Sequence, residues 1–384
     1  MKIALIDPSL FTWPYDSALM GGLRAQGHSV TLYMKHLAAG EPGKDQPDTR
    51  ELFYPGLQHP FFKKLPRSLF LAIKGISHFV SHLRLWIQLR RDRPDIIHFQ
   101  WVPLPVVDQL FLPLYRKIAP LVLTVHDSSP FNNNPSGRLQ RIGVYAIMHK
   151  FDRLIVHTEK ARQALMGHGI PAAKINRIAH GVLGTGPAIS ATTASRREAD
   201  GETVNVLLFG KLKPYKGADI LIRALAALPE KAKRRCRVRI VGKAEMDTAP
   251  LMALAKDLQV EDHLVWDLRF VADAEMAGIF AEADIMAMPY RDIDASGVMM
   301  VALGMGRPII ASRIGLFAEL LDDGRHGILV LQEDPAALAN ALATLINDAD
   351  MRLRMGADVL SLCQAIPSWA EIGAQTTALY QSLR

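Results

Sequence analysis

The sequence predicts an α/β protein built from two doubly wound parallel sheets in tandem, and three observations carry this. Short apolar runs such as Lys2–Ile6, Leu121–His126, Val204–Phe209 and Ile285–Met288 alternate with longer stretches of helical character. That is the order in which crossover helices bury parallel strands. The pattern stops at residues 183–202, LGTGPAISATTASRREADGE, which are rich in Gly, Ala, Ser and Thr and carry no periodicity, and then starts again. The chain has 384 residues and is 49% apolar, enough for two separate cores.

Taken in order, Lys2–Ile6 predicts the first buried strand, and residues 7–16, DPSLFTWPYD, a loop at its carboxyl end. Leu19–Gln26 predicts a helix closed by Gly27-His28, and Ser29–Met34 the second strand. The turn between them lacks the G-x-G-x-x-G spacing of a dinucleotide site. Gly21-Gly22, inside the helix, reads as a place of close packing. Asp95–Trp101 and Leu121–His126 are further strands, separated by an apolar helix through Leu110–Tyr115. The second runs directly into the polar loop His126-Asp127-Ser128-Ser129-Pro130, at the strand edge where this architecture places ligands. His126 is therefore a candidate to face one. Arg153–His157 and Asn176–Val182 complete the first sheet.

Between the second and third of these strands, residues 40–66 read as irregular and polar, ending in the aromatic and basic run Phe61-Phe62-Lys63-Lys64. A long helix follows, with Leu69, Ile73, Ile76, Val80, Leu83 and Ile87 on one stripe at spacings of four and three. This stripe is expected to face the core, with Lys74, Arg84, Arg90, Arg91 and Arg93 as a solvated basic edge. Phe61, Phe62, Lys63 and Lys64, with Phe70, Leu71, Phe79 and Trp86, exceed what a core face needs. Aromatics beside lysines suit contact with an anionic lipid surface.

After residue 203, Val204–Phe209, Arg237–Val241, Pro308–Ala311 and Gly327–Val330 predict strands. Ala218–Leu228, Leu251–Leu258, Ala274–Glu282 and a long segment from Pro335 predict helices. Pro367 breaks the chain and Ser368-Trp369 opens a last helix. The second half is organised around residues 283–312. There the strand Ile285–Met288 ends in Pro289-Tyr290, and a polar loop closes on Ser296-Gly297 before an apolar helix. A strand, a loop and a helix opened in this way put free backbone N–H groups and the positive end of a helix dipole at one point, which suits a phosphate.

Charge is uneven along the chain. Residues 1–190 carry 23 Lys and Arg against 12 Asp and Glu, so of the 45 and 38 in the whole chain 22 and 26 remain for the second half. No nucleic-acid motif or aromatic-basic array accompanies the basic half, so an anionic membrane surface or a phosphate-bearing acceptor explains it better. Cys236 and Cys363 stand far apart in no metal or redox spacing, as in a reducing compartment. The N-terminus, MKIALIDPS, reads as a strand and not a signal peptide, and no stretch approaches the ~20 apolar residues of a membrane span.

Phe209-Gly210-Lys211-Leu212-Lys213-Pro214-Tyr215-Lys216-Gly217 resembles the G-R-L-x-x-x-K-G loop of retaining GT-B glycosyltransferases of family 4. His126 after its strand, His180-Gly181-Val182 in place of an N-G-V turn, the 296–312 segment and Ile314-Gly315-Leu316-Phe317-Ala318-Glu319 match the same family in chain order. The resemblance implies two Rossmann-like domains facing a cleft. An acceptor-binding domain would span residues 1–185, a linker 186–203, and a nucleotide-sugar-binding domain 204–366, with a C-terminal helix over 367–384 packing back on the first domain. It implies catalytic roles for His126, Lys211 and Lys216, and donor binding by Gly210, Ser296, Gly297, Asp294 and Glu319. Phe61, Phe62, Lys63 and Lys64 fall to acceptor or membrane contact. Two cations beside a glycine turn neutralise a leaving nucleoside diphosphate, chemistry that needs no metal or other cofactor.

The departures are specific. The second Glu of the family's central helix aligns with Val301, and the first has no equivalent nearer than Asp292 and Asp294. Asp292-Ile293-Asp294 matches a D-x-D metal motif but reads here as a loop carboxylate pair without metal. The expectation is thus a hexosyltransferase using a UDP- or GDP-linked sugar and a lipid-linked or oligosaccharide acceptor, in surface or exopolysaccharide synthesis. It would be cytoplasmic, on the inner face of the cell membrane. Val301 leaves open a degenerate scaffold partner of an active enzyme; a sugar-nucleotide epimerase lacks an acid/base set.

Overall fold

Two parallel sheets organise the chain in its computed structural model, which describes residues 1–38, 41, 43–44, 46–128, 142–183 and 203–384, without the side chains of Lys63 and Asp273. The chain divides into two units, one of residues 1–181 with 367–384 and one of residues 182–366. The linker expected over 186–203 lies outside the described residues except for Thr203.

The first sheet contains β1 (Lys2–Asp7), β2 (Ser29–Lys35), β3 (Thr49–Phe53), β4 (Ile96–Phe99), β5 (Leu121–Thr124), β6 (Arg153–Val156) and β7 (Ile175–Arg177), in the order β3-β2-β1-β4-β5-β6-β7. Every pairing in it is parallel. Alternate residues serve opposite faces. Ala4, Ile6, Ile97 and Phe99 pack with Phe53, Leu85, Leu89, Phe111 and Tyr115. Ile3, Leu5 and Ile96 pack with Leu19, Leu23, Ile372 and Tyr380. The second sheet contains β8 (Val204–Phe209), β9 (Cys236–Val241), β10 (Leu264–Asp267), β11 (Ile285–Met288), β12 (Ile309–Ser312) and β13 (Gly327–Val330), ordered β10-β9-β8-β11-β12-β13. Strand order reverses between β1 and β4 in one sheet and between β8 and β11 in the other, the positions where doubly wound sheets leave a crevice for ligands.

The last helix, Trp369–Gln381, begins at a Ser368–Glu371 capping box and packs on the helix Trp13–Ala25. Gly22 and Gly373 allow the contact. A Cβ on Gly22 would lie 2.0 Å from the Trp369 carbonyl oxygen, and one on Gly373 2.3 Å from that of Gly22. The Tyr380 hydroxyl then reaches His98 Nδ1 at 2.6 Å.

Four expectations are corrected. The loop after β1 is shorter than residues 7–16, because Pro14 and Asp16 already occupy the first turn of the helix Trp13–Ala25. Residues 40–66 are not irregular throughout: they hold β3 and the short helix Pro60–Lys63. The strand expected over 176–182 is limited to Ile175–Arg177. The fourth correction is the largest. In the long helix Arg67–Asp92 the buried residues are His78, Ser81, His82, Leu85 and Leu89. The apolar stripe faces outward, with Ile76 67% and Leu69 47% exposed, and Val80, Leu83 and Ile87 exposed as well. Hydrophobic periodicity identifies a face but not its partner. Here the inward face is polar because Tyr54, Asp108 and Tyr115 satisfy its two histidines.

Candidate functional site

β8 ends at Phe209, and Gly210 turns the chain at φ +104°. Gly210 N donates to the Val241 carbonyl, and a Cβ on Gly242 would stand 2.3 Å from the Gly210 oxygen. Only glycines let the ends of β8 and β9 approach this closely. Pro214–Lys216 forms one 3-10 turn, and Gly217, at φ +68°, precedes the helix Ala218–Ala226. A Cβ on Gly217 would meet the Pro289 carbonyl oxygen at 2.0 Å, so this loop is seated on the end of β11.

That seating buries Lys216, which is 3% exposed. Its Nζ donates to the Phe209 carbonyl at 3.0 Å and to the Tyr290 hydroxyl at 2.6 Å, and lies 4.4 Å from the Tyr290 ring centroid. Burial, helped by the charge of Lys213, lowers the ammonium's pKa to about 7. Lys211 differs. Its half-exposed side chain lies 3.9 Å from Glu245, which Lys213 also approaches at 3.3 Å.

From the β11 side, Tyr290 is fully buried and its hydroxyl accepts from Lys216. Arg291 clamps the two loops together. Its guanidinium binds both Asp219 oxygens at 2.8 and 2.7 Å and Glu333 at 2.5 Å, and donates to the Pro214 carbonyl. Its backbone N–H donates to the Tyr215 carbonyl at 2.7 Å. Ser296 Oγ accepts from Met299 N at 3.2 Å and caps the helix Gly297–Gly304. A Cβ on Gly210 would lie 3.1 Å from both Lys216 Nζ and Val298 Cγ2, so the glycine turn, the lysine and the first turn of that helix meet.

The structure thus brings Gly210, Lys216, Ser296 and Gly297 to one point at the switch between β8 and β11. Asp294 is buried behind it, its carbonyl accepting from Leu316 N at 2.9 Å. Glu319 is exposed on the helix Gly315–Leu320. A lysine near neutrality, backbone N–H groups of a capped helix and a turn without side chains together can hold the oxygens of a diphosphate. Tyr290 and Arg291 were not singled out from sequence, since the partners that give them a role come from the loop around residues 213–219.

Val301 is 6% exposed in a helix whose residues 299–303 are all buried. Val301→Glu is therefore expected to lower stability by roughly 2–3 kcal/mol, the cost of an unpaired buried polar group, without tightening nucleotide binding. Denaturant unfolding alongside UDP calorimetry measures both. Tighter binding at unchanged stability would make Val301 part of a vacant ribose site instead.

In the first unit, His126 follows β5 and is half-buried. It stacks on Trp101 at 5.4 Å, meets Tyr15 edge-on at 4.7 Å, and its Nε2 donates to Gln100 Oε1 at 3.3 Å. His157 and His180 adjoin it through Tyr15, and His180 Nδ1 donates to the Gly181 carbonyl at 2.7 Å. Burial, then the neighbouring His157 and His180, push the His126 pKa well below its ordinary value, so the ring is held neutral. Asp7 and Asp16 lie at the carboxyl end of β1. Burial raises both carboxyls, most strongly Asp16, while Asp7 Oδ1 accepts from Ser9 N and Leu10 N. Phe61 is 59% exposed and packs edge-on against Phe62, with Lys64 exposed beside them. The Lys63 side chain lies outside the described residues.

Two family models match the chain. Glycosyl transferases group 1 covers residues 203–348, and Glycosyltransferase Family 4 covers residues 17–182. The D-inositol 3-phosphate glycosyltransferase of Corynebacterium glutamicum is 33% identical over 312 residues, spanning 74% of this chain and 72% of that protein. Among solved structures, Anabaena HepE in complex with UDP-glucose superposes with a TM-score of 0.75 at 20% identity, over the whole of both chains. Sucrose-phosphate synthase from Thermosynechococcus elongatus gives a TM-score of 0.76 at 18% identity, over 100% of this chain and 99% of that one.

Proposed function

The chain belongs to the group 1, family 4 glycosyltransferases and has the GT-B fold, and on that premise we propose that it moves a hexosyl group from a nucleotide-sugar donor to an anionic saccharide acceptor. The observation that carries the donor half is the buried Lys216 beside the Gly210 turn and the Ser296-capped helix. In this reading Lys216 and the backbone N–H groups after Ser296 neutralise the leaving diphosphate, while Lys211 works from the rim. Transfer then proceeds by electrostatic stabilisation, without a metal at the diphosphate. His126, held neutral just after β5, is assigned to the sugar at the reaction centre. Complexes of HepE with UDP and UDP-glucose make UDP the first nucleotide to test. Calorimetry with UDP and GDP tests the reading. If no nucleoside diphosphate binds, ADP included, the enzyme reading gives way to that of a scaffold with a glycosyltransferase fold.

For the acceptor, the proposal is a lipid-linked saccharide of surface or exopolysaccharide synthesis, met at the inner face of the cell membrane. Among the described residues no helix is long and apolar enough to cross a membrane. The outward stripe Leu69, Ile76, Val80, Leu83 and Ile87, with Phe61 and Phe79, supports surface contact instead. Lys64, Arg84, Arg90 and Arg91 are exposed alongside it. Each such cation near an anionic surface contributes about 1 kcal/mol. The Phe61→Ser, Phe62→Ser double variant is expected to bind phosphatidylserine vesicles at least several-fold more weakly, with UDP affinity unchanged. Salt should weaken wild-type binding further. Equal sedimentation with neutral vesicles would count against membrane contact. A soluble inositol phosphate is the second acceptor reading, favoured by the name of the Corynebacterium relative.

A further inference from the structure

We propose that His78, His82 and Asp108 form a binding site for one zinc-type divalent cation, buried between the long helix Arg67–Asp92 and the helix Pro105–Arg116. Three potential ligand atoms converge there. His78 Nε2 is 2.5 Å and His82 Nε2 2.8 Å from Asp108 Oδ1, and the two nitrogens are 3.2 Å apart. A cation at about 2.0–2.2 Å from two imidazoles and a carboxylate fits above such a triangle. The histidines sit four residues apart on one helix face, and all three residues are 0–1% exposed.

The groups behind the ligands are also in place. Tyr54 Oη binds His78 Nδ1 at 2.9 Å, and Tyr115 Oη binds His82 Nδ1 at 2.7 Å. Asp108 Oδ2 accepts from Leu104 N at 2.9 Å, which turns Oδ1 toward the histidines. Such partners orient metal ligands and fix their tautomers. The Tyr115 proton goes to the His82 carbonyl at 3.1 Å, so in the contact between Tyr115 and His82 it is Nδ1 that donates. A neutral His82 then turns an Nε2 lone pair on the lone pairs of Asp108 Oδ1. Without an ion an N–H of His78 Nε2 bridges the two, and a cation in that proton's place is held by all three ligand atoms at once.

The site also supplies what the long helix otherwise lacks. Its apolar stripe points outward, and of its five buried residues only Leu85 and Leu89 are apolar. A cation joining His78 and His82 to Asp108 would fasten this helix to its neighbour. The cluster packs among Phe53 and Phe111, in the core on the face of the first sheet opposite the one that Tyr15 occupies. The ion is therefore structural, and the transfer chemistry at His126 and Lys216 does not pass through it.

The experiment uses the untagged full-length chain. Metal analysis after gel filtration, or after refolding with one equivalent of ZnCl2, is expected to find about one zinc per chain, with Tm raised on the order of 5 °C over protein refolded in EDTA. His82→Gln should lose the zinc and the shift. Wild-type protein that keeps no zinc by either route, with Tm unchanged, overturns the proposal and leaves a proton between His82 and Asp108. Equal zinc in His82→Gln overturns it too, by placing the ion elsewhere.

Discussion

Replacing Lys216 by alanine is expected to lower sugar transfer by about 10²–10³-fold, the range found when one donor that stabilises developing charge is removed. The fold should survive. Close to neutrality this amine is only partly charged, so its loss strands no buried counter-ion. What remains unpaired is the Phe209 carbonyl and one side of the Tyr290 hydroxyl, at a cost of roughly 1–3 kcal/mol. Lys211→Ala, at a half-exposed position beside Glu245, should cost far less. Proton linkage separates the charge of Lys216 from its packing. A diphosphate beside the ammonium raises a pKa that burial had lowered to about 7, so at pH 8 binding must draw protons from solution. UDP calorimetry in two buffers of different ionisation enthalpy reads that uptake, which Lys216→Ala should abolish. Transfer within a few-fold of wild type, or proton uptake unaltered by the substitution, would remove Lys216 from the diphosphate site.

How much could be read in advance follows from how each element is buried. Val204–Phe209 and Ile285–Met288 were legible to the residue because central parallel strands are covered on both faces and read as unbroken apolar runs, and the edge strand Gly327–Val330 was legible because it too is apolar and largely buried. β3, TRELF, and β10, LVWD, were missed. Both are edge strands whose solvated side carries charge, so neither shows the pattern. The glycine turn was legible for a similar local reason. Gly210 and Gly217 both need φ > 0, and Lys216 lies between them in sequence.

Tyr290 and Arg291 were not legible, because each acts on a residue more than seventy positions earlier. The long helix failed in the opposite way. Its apolar period was read correctly, yet the core took the face carrying His78 and His82, because Asp108 and Tyr115 on a later helix and Tyr54 on an earlier segment could satisfy them. Val301 shows what a resemblance leaves undecided. An aligned position says where a carboxylate stands in relatives, whereas an exposure of only 6% says that this helix is packed there.

Acid is expected to unfold the protein well before ordinary carboxylate titration would. Burial lowers His98 and His180 to about 3 and pushes His126 well below its ordinary value. In the unfolded chain each titrates near 6.5. Between those values the unfolded state binds protons that the folded state refuses. The stability these rings contribute is thus fully present above pH ~6.5 and is lost as pH falls toward ~3, at about 1.4 kcal/mol per pH unit for each. Asp7 and Asp16 act oppositely, because burial raises their folded pKa values and protonation then favours the folded state. His28 and His82, also lowered by burial, act in the same direction as these three rings, so the histidines outweigh the carboxyl pair and the balance is a loss of stability as pH falls below ~6.5. Urea unfolding at pH 7.0, 5.5 and 4.5 should show midpoints falling steadily across the series. His98→Gln, which can still bond Tyr380 and Thr124 but does not titrate, should flatten the slope by about one histidine's share. A midpoint constant from pH 7.0 to 4.5 would mean that these rings protonate as easily folded as unfolded, and that the centre at His126 is wetter than its burial indicates.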